Sequence, residues 1–261
     1  FRRLDHRMHN KAMVVDNQVA IVGGRNIANE YFGLDEGFNF RDLEILLNGE
    51  IVQAVGHTFD KYWNDRWSVP IESLSHKKAS AEQLAEARVV ADTALELHKE
   101  ESTDELRQRW LDVFEGADTG EAILYADEPP KENPKDRDEA PVQVAHELIQ
   151  LFDEAESEIV IVSAYLIPTP NLDGAVTRAL DRGVRVRMLT NSIGSNNHLT
   201  AHSAYRNHIK TLLEQGAEMH EVRTDASDRD QYMTAPVEDK KLALHAKALI
   251  IDSDKVFVGS A

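Results

Sequence analysis

Near the start of the chain two short apolar runs, Ala12 to Val15 and Val19 to Val22, flank the polar triplet "DNQ". β-Branched residues on either side of a polar turn predict a hairpin. "RDLEILLNG" predicts another strand, and a helix follows from about Ile51 to Arg66. Between Ala79 and Glu115 the apolar positions Leu84, Ala87, Ala91 and Leu95, then Leu106, Trp110 and Phe114, recur at helical spacing among charges. That segment predicts two helices with a solvated acidic face.

"YADEPPKENPKDRDEAP", residues 125–141, combines four prolines with dense charge and predicts a linker between regions 1–124 and 142–261. Beyond it helices and strands alternate. A helix from Val142 to Ser157 leads to the strand "EIVIVSAYLI", a helix from Asn171 to Arg182 to "VRVRMLTN", and a helix from Leu199 to Gln215 to "AEMHEV". Strands joined through helices of this length imply right-handed crossovers and a mainly parallel sheet covered on both faces, an α/β architecture.

Composition narrows the chemistry. With 46 acidic against 29 basic residues the formal charge is −17. Binding through a general coat of phosphate contacts needs the opposite balance, so a nucleic-acid partner is not expected. A polybasic grip on a membrane is equally disfavoured. The absence of cysteine excludes disulfides, thiolate nucleophiles and cysteine zinc sites. The longest apolar run, about nine residues in "IVIVSAYLI", is far below the roughly 20 needed to span a bilayer as a helix.

One pattern occurs twice. "HNKAMVVDNQVAIVGG" from His9 and "HAKALIIDSDKVFVGS" from His245 share His, Lys, Asp, Gly and a small residue at identical spacing. In an extended strand residues two apart share a face, so each copy projects an imidazole beside an ammonium. Such a pair suits an anion: Lys neutralises phosphoryl oxygens while His attacks phosphorus or protonates a leaving oxygen. Two pairs around one phosphodiester would supply a nucleophile and a general acid without a metal or other cofactor.

These motifs resemble the HKD signature of the phospholipase D superfamily. The runs "VGGRNIANEYFG", "RDLEILLNG", "SAYLIPT", "TNSIGSNNHLTAHSAY" and "LEQGAEMHEV" are similar to bacterial cardiolipin synthases of the C type. The resemblance implies two PLD-like repeats, with mixed, mainly parallel sheets flanked by helices and the active site at their pseudo-twofold interface. It implies transfer of a phosphatidyl group between membrane phospholipids through a phosphohistidine. Phosphatidylglycerol, with phosphatidylethanolamine as a further candidate, would be the lipid partner, at the bacterial cytoplasmic membrane. Both repeats are expected to be incomplete: strands before His9, an Asn two residues beyond Ser260 and a later acid are missing. The sequence is therefore expected to be a piece of a longer protein, inactive by itself.

By the same resemblance His9 is the nucleophile and His245 the general acid, later the base for the acceptor. Lys11, Lys247 and Asn26 bind phosphate oxygens, and Ser260 adds a hydroxyl. Asp16 and Asp252 complete the signature in structural positions. Asp42 matches an acid that hydrogen-bonds the far nitrogen of the nucleophile. Gly24 stands where many members carry Ser, which shifts oxyanion stabilisation in the first half to backbone N–H groups. Asn191, Asn197, His202 and Tyr205 line the lipid headgroup pocket.

Other readings share these residues. A hydrolase or nuclease of the same superfamily would use water as acceptor, and a non-catalytic module would only bind lipid. The i, i+4 pair His198 and His202 has zinc-helix spacing, but "HLTAH" lacks the glutamate a metalloprotease needs. Trp63, Trp67 and Trp110 sit in amphipathic helices, where aromatic residues are expected in the core.

Overall fold

The computed structural model describes residues 8–74, 78–97, 102–129, 143–167, 169–224, 227, 231 and 238–260. Positions 130–141 of the expected linker and Val142 lie outside them. The chain forms two compact units, Phe1–Lys61 with Leu124–Ala261, and Tyr62–Ile123.

In the first unit, β1 (Ala12–Val15) and β2 (Val19–Gly23) form the expected antiparallel hairpin, with Val15 opposite Val19. β2 pairs in turn with β4 (Glu44–Asn48), giving an antiparallel order β1-β2-β4. The helix α1 (Ile51–Trp63) lays Val52 and Val55 over Ala20, all three nearly solvent-free. The segment "RDLEILLNG" is broken at Asp42 and Leu43: its Arg41 ends a separate strand, β3 (Phe38–Arg41), and β4 follows the break.

The second half of this unit carries α5 (Gln143–Glu154), β5 (Glu158–Ser163), α6 (Pro170–Asp181), β6 (Arg185–Asn191), α7 (Leu199–Glu214) and β7 (Glu218–Val222). β5, β6 and β7 are parallel, joined through α6 and α7 as the alternation predicts. β9 (Lys247–Ile251) then adds antiparallel to β5, and β10 (Lys255–Val258) to β9, completing the order β10-β9-β5-β6-β7. Among the described residues, parallel pairing is confined to these crossovers and one further contact. The chain thus has a mixed α/β architecture with sheets of both orientations.

Helix α6 starts where local chemistry dictates. Thr169 caps it by accepting from the Leu172 N–H, and Pro170 occupies its first position, where no N–H is needed. Phe152 from α5, Ile159 from β5, Val186 from β6 and Leu212 from α7 are at most 1 % exposed and centre the core. Each such side chain contributes roughly 1.5–3 kcal/mol through removal from water.

The further contact is a two-stranded parallel ladder of β3 with β8 (Lys241–Leu244), two short strands absent from the sequence reading. Their register sets Arg41 opposite Leu244. The residues that follow, Asp42 and His245, are thereby carried to matching positions.

The unit Tyr62–Ile123 contains α2 (Ile71–Leu74), α3 (Ala81–Leu97) and α4 (Thr103–Glu115). The two expected helices are present, and Ser102 with Glu105 forms a reciprocal capping box at the start of α4. The expectation of core tryptophans is corrected: Trp63, Trp67 and Trp110 are 69, 50 and 47 % exposed. Helical periodicity identifies an apolar face but not whether anything covers it. Among the described residues no helix is long and apolar enough to cross a membrane.

Candidate active site

The two copies of the repeated pattern fold alike down to the turn. In each hairpin two consecutive residues adopt positive φ, Asp16 and Asn17 at 51° and 53°, Asp252 and Ser253 at 53° and 59°. Each turn is closed by one backbone bond, Gln18 N–H to Val15 C=O and Asp254 N–H to Ile251 C=O, both 3.0 Å. Asp, Asn and Ser tolerate this left-handed backbone better than larger residues, which accounts for the polar letters at these positions.

The aspartates of the pattern accordingly sit in turns. The Asp252 carboxylate accepts from the backbone N–H groups of Glu156, Ser157 and Glu158 at 2.7–2.9 Å and from the Ser157 hydroxyl at 2.8 Å. These bonds hold it far below the usual carboxylate range and tie the end of β9 to the start of β5. Asp16 is exposed at its own turn.

His and Lys do not share one strand. Lys11 immediately precedes β1 and Lys247 begins β9, so both histidines lie outside the strands. Each ammonium instead folds back onto the carbonyl of its own motif's histidine, Lys11 Nζ to His9 O at 2.7 Å and Lys247 Nζ to His245 O at 2.8 Å.

His245 is the best-fixed group of the site. Backbone bonds from His245 N–H and Ala246 N–H to Arg41 O, at 2.7 and 3.2 Å, extend the β3–β8 ladder. The adjoining Asp42 Oδ2 lies 2.7 Å from His245 Nδ1, with side-chain exposures of 0 and 8 %. Asp42 therefore backs the second-motif histidine, which corrects the expectation that it supports His9. The cause is the ladder register. Burial pushes the Asp42 carboxyl up, but the His245 bond, the Leu43 N–H and the positive charges nearby outweigh it and leave it below its ordinary value. An ionised Asp42 accepts a hydrogen bond from Nδ1–H, so neutral His245 presents its lone pair at Nε2.

Gly24 explains why this seat is available. A Cβ there would stand 2.6 Å from Asp42 Oδ1 and 3.0 Å from Oδ2. The glycine that replaces the expected serine is thus the space in which the carboxylate rests.

The cations crowd one another. Burial is the main cause that drives Lys247 down to about 8, with Asp42 opposing and Lys11 adding to the shift. Lys11 is lowered as well, by loss of hydration against the pull of Asp42. His9 is accessible to solvent, yet lost hydration, then Lys11, Lys247 and His245, lower its pKa despite an opposing bond with the Ser260 backbone. The first and second motifs therefore meet in one electropositive site, where an anion would relieve a strain that the folded chain carries without it.

Other expected residues have more specific duties. The Asn26 amide donates to Tyr31 Oη at 2.8 Å, and the Ser260 hydroxyl to the His9 carbonyl at 2.9 Å. Asn191, 1 % exposed, is corrected from headgroup contact to a structural clasp. Its amide donates to Ala164 O at 3.1 Å and Leu244 O at 2.8 Å, while its Oδ1 accepts from Leu244 N–H at 2.8 Å. Two of these three bonds hold Leu244, the residue before His245, and the third ties Asn191 to Ala164. Tyr205 is buried and held above its ordinary pKa by that burial and by Glu221. His202 is 8 % exposed, packs 5.7 Å from the Tyr205 ring and keeps a buried Nδ1 that has no hydrogen-bond partner among the described residues. Only Asn197 of this group remains exposed, accepting from Tyr165 Oη at 2.6 Å.

Two tyrosines escaped the sequence reading. Tyr31 reaches His245 from the first half, ring centroids 4.9 Å apart, and Tyr165 from the second at 6.4 Å. Burial, with the nearby Tyr31, pushes Tyr165 up to about 12. Tyr31 lies within "NEYFG" and Tyr165 within "SAYLIPT", so the resembling runs contained both. Among the described residues no group of three His, Asp or Glu could hold a metal ion.

Comparison with known proteins places these features. Residues 148–261 match the family model described as "Cardiolipin synthase, PLD-like domain". Cardiolipin synthase C of Escherichia coli (strain K12) is 29% identical over 279 residues, covering 100% of the chain and 56% of that protein. An uncharacterized Helicobacter pylori (strain ATCC 700392 / 26695) protein is 28% identical over 269 residues, covering 100% of the chain and 51% of its own length. The chain spans about half the length of the curated relatives it matches. The crystal structure of phosphatidylserine synthase from Haemophilus influenzae Rd KW20 superposes with a TM-score of 0.50 at 15% identity, over 94% of this chain and 51% of that one. Residues 148–261 thus match a cardiolipin synthase PLD-like domain, while the chain as a whole is similar to cardiolipin synthase C of Escherichia coli and shares the fold of the phosphatidylserine synthase structure.

Proposed function

We propose that the protein is a phosphatidyltransferase of the cardiolipin synthase type, passing a phosphatidyl group between phospholipids through a phosphohistidine. The observation that carries this reading is the contact between the two motifs, Ser260 Oγ donating to His9 O at 2.9 Å, with Asp42 of the first half fixing the imidazole of His245. The lowered pKa of His9 leaves its ring neutral near pH 7, the form in which a nitrogen lone pair can attack phosphorus. His245, oriented through Nδ1, handles the proton of the leaving oxygen, and Asp42 offers a counter-charge whenever that ring is cationic. Lys11 and Lys247 neutralise the phosphoryl oxygens. The leaving alcohol departs, an acceptor alcohol takes its place, and His245 removes the acceptor's proton as it attacks the phosphohistidine.

Phosphatidylglycerol is the proposed donor and acceptor, with phosphatidylethanolamine an alternative donor, and the work would occur at the bacterial cytoplasmic membrane. Several curated relatives carry the name cardiolipin synthase, which supports a phospholipid substrate. The test is to incubate the full-length protein with labelled phosphatidylglycerol and separate the lipids. Cardiolipin from wild type, none from His9→Ala or His245→Ala, and an alkali-stable labelled adduct that requires His9 are expected. Phosphatidic acid as the sole product would replace transfer by hydrolysis.

A further inference from the structure

The reactive edge of His245 is already covered. Its Nε2 lies 3.3 Å from Tyr31 Oη, and the residue is only 6 % exposed. Tyr31, 7 % exposed, is held on several sides. Phe40 packs against its ring at 4.7 Å, and the Arg25 guanidinium donates to its carbonyl while pairing with Glu44. Asn26 Nδ2 donates to its hydroxyl.

A phenol has one proton and two lone pairs. Since Asn26 only donates there and Asp42 holds the Nδ1 proton, the Tyr31 hydroxyl donates its hydrogen bond to neutral His245 at Nε2, where the Lys247 ammonium also stands 3.3 Å away. Once Nε2 is protonated it must donate instead. Asn26 and His245 then occupy both lone pairs of Oη, and the tyrosyl proton turns away from both.

We propose that Tyr31 is a catalytic residue that relays the proton between His245 Nε2 and the oxygen of the leaving or attacking alcohol. The inference rests on the assignment of His245 as acid and base. As the bond from His9 to phosphorus forms and the bond to the leaving oxygen breaks, the Tyr31 proton passes to that oxygen. The His245 Nε2 proton simultaneously passes to Tyr31 Oη. Tyrosine is a phenol before and after, His245 ends neutral, and the alcohol leaves uncharged. In the second half-reaction the acceptor's proton passes to Tyr31, and the tyrosyl proton to His245. Burial and the charges of Glu30 and Asp42 raise the Tyr31 pKa despite the Asn26 bond, so phenolate does not accumulate.

The test compares leaving groups in the full-length protein. Tyr31→Phe should slow the first half-reaction with phosphatidylglycerol by about 10²-fold or more, but the burst of p-nitrophenol from phosphatidyl-p-nitrophenol, whose leaving group needs no proton, by less than about fivefold. His245→Ala should show the same contrast in the first half-reaction. Equal losses on both substrates, or no loss on either, would overturn the relay. A proton inventory on wild type, independent of any variant's folding, should bow as two protons move together; a straight line contradicts the proposal. ¹⁵N-histidine NMR of this chain separates the relay from the wider functional reading. The His245 Nε2 resonance should move in Tyr31→Phe, and an unmoved resonance overturns the relay whether or not lipid is transferred. Release of p-nitrophenol undiminished in His9→Ala would instead refute the phosphohistidine, while leaving the contact visible by NMR.

Discussion

Asp42 Oδ2 and His245 Nδ1 are 2.7 Å apart although 203 positions separate them in the chain. The bond exists because β3 and β8 pair in parallel with Arg41 opposite Leu244, so the next residue on each strand meets the other. A four-residue ladder therefore fixes the tautomer of a histidine whose partner lies in the other half of the molecule.

Replacing Asp42 by Asn should keep the contact but reverse its direction. The Asn amide would donate to Nδ1, placing the histidine proton on Nε2 and reversing the Tyr31 bond, so that neutral His245 could no longer take a proton there. By comparison with carboxylate-to-amide changes behind catalytic histidines, kcat should fall about 10²–10⁴-fold with the fold preserved. Steady-state kinetics beside a thermal melt checks both parts. Wild-type kcat in Asp42→Asn would remove tautomer control from the mechanism.

Asn191 separates a structural from a ligand-binding role. Asn191→Ala leaves the buried Leu244 N–H and the Ala164 carbonyl without this partner, and should cost about 2–4 kcal/mol in urea unfolding. Because Leu244 precedes His245, kcat should fall too. A change in lipid selectivity at unchanged stability would instead restore the headgroup role expected from sequence.

The contrast shows what the sequence could convey. The hairpins, the α/β alternation of the second half and the recurrence of the His9 pattern at His245 were legible because each follows from local period or repetition. β3 and β8 were not, since four-residue strands paired across the whole chain leave little local signature. The duties of Asn191 and Asp42 followed from that missing ladder, not from their own neighbours in sequence. Tyr31 was obscured differently: a tyrosine after "IANE" has no chemical meaning until the fold brings His245 to its hydroxyl.

Lys247 gives a prediction in pH. Its folded-state value of about 8 lies below the ordinary 10.5, so the folded chain releases this proton more readily than the unfolded one. Stability from this group therefore rises as pH climbs from about 8 toward 10.5, and the penalty is full below that window. A bound anion should cancel the penalty. Inorganic phosphate is expected to raise Tm more at pH 7 than at pH 9.5. Lys247→Met should melt higher than wild type without phosphate, by roughly 1–3 kcal/mol, and respond less to it. A phosphate effect identical at both pH values, or unchanged in the variant, would disconnect Lys247 from the anion.

Gly24 provides the sharpest test of the Asp42 seat, because introducing the serine expected from the sequence resemblance should do harm. In Gly24→Ser the new Cβ would lie 2.6 Å from Asp42 Oδ1, closer than carbon and oxygen tolerate. The carboxylate must move, and its bond to His245 should lengthen or break. Gly24→Ala introduces the same Cβ without a hydroxyl, so both variants should lose about tenfold or more in kcat through misplacement of the imidazole. Their ¹⁵N-histidine spectra should show His245 departing from the Nδ1–H tautomer. If Gly24→Ser were as active as wild type while Gly24→Ala was impaired, the hydroxyl would be serving the first half as Ser260 was expected to serve the second, and the carboxylate seat would not be what the glycine preserves.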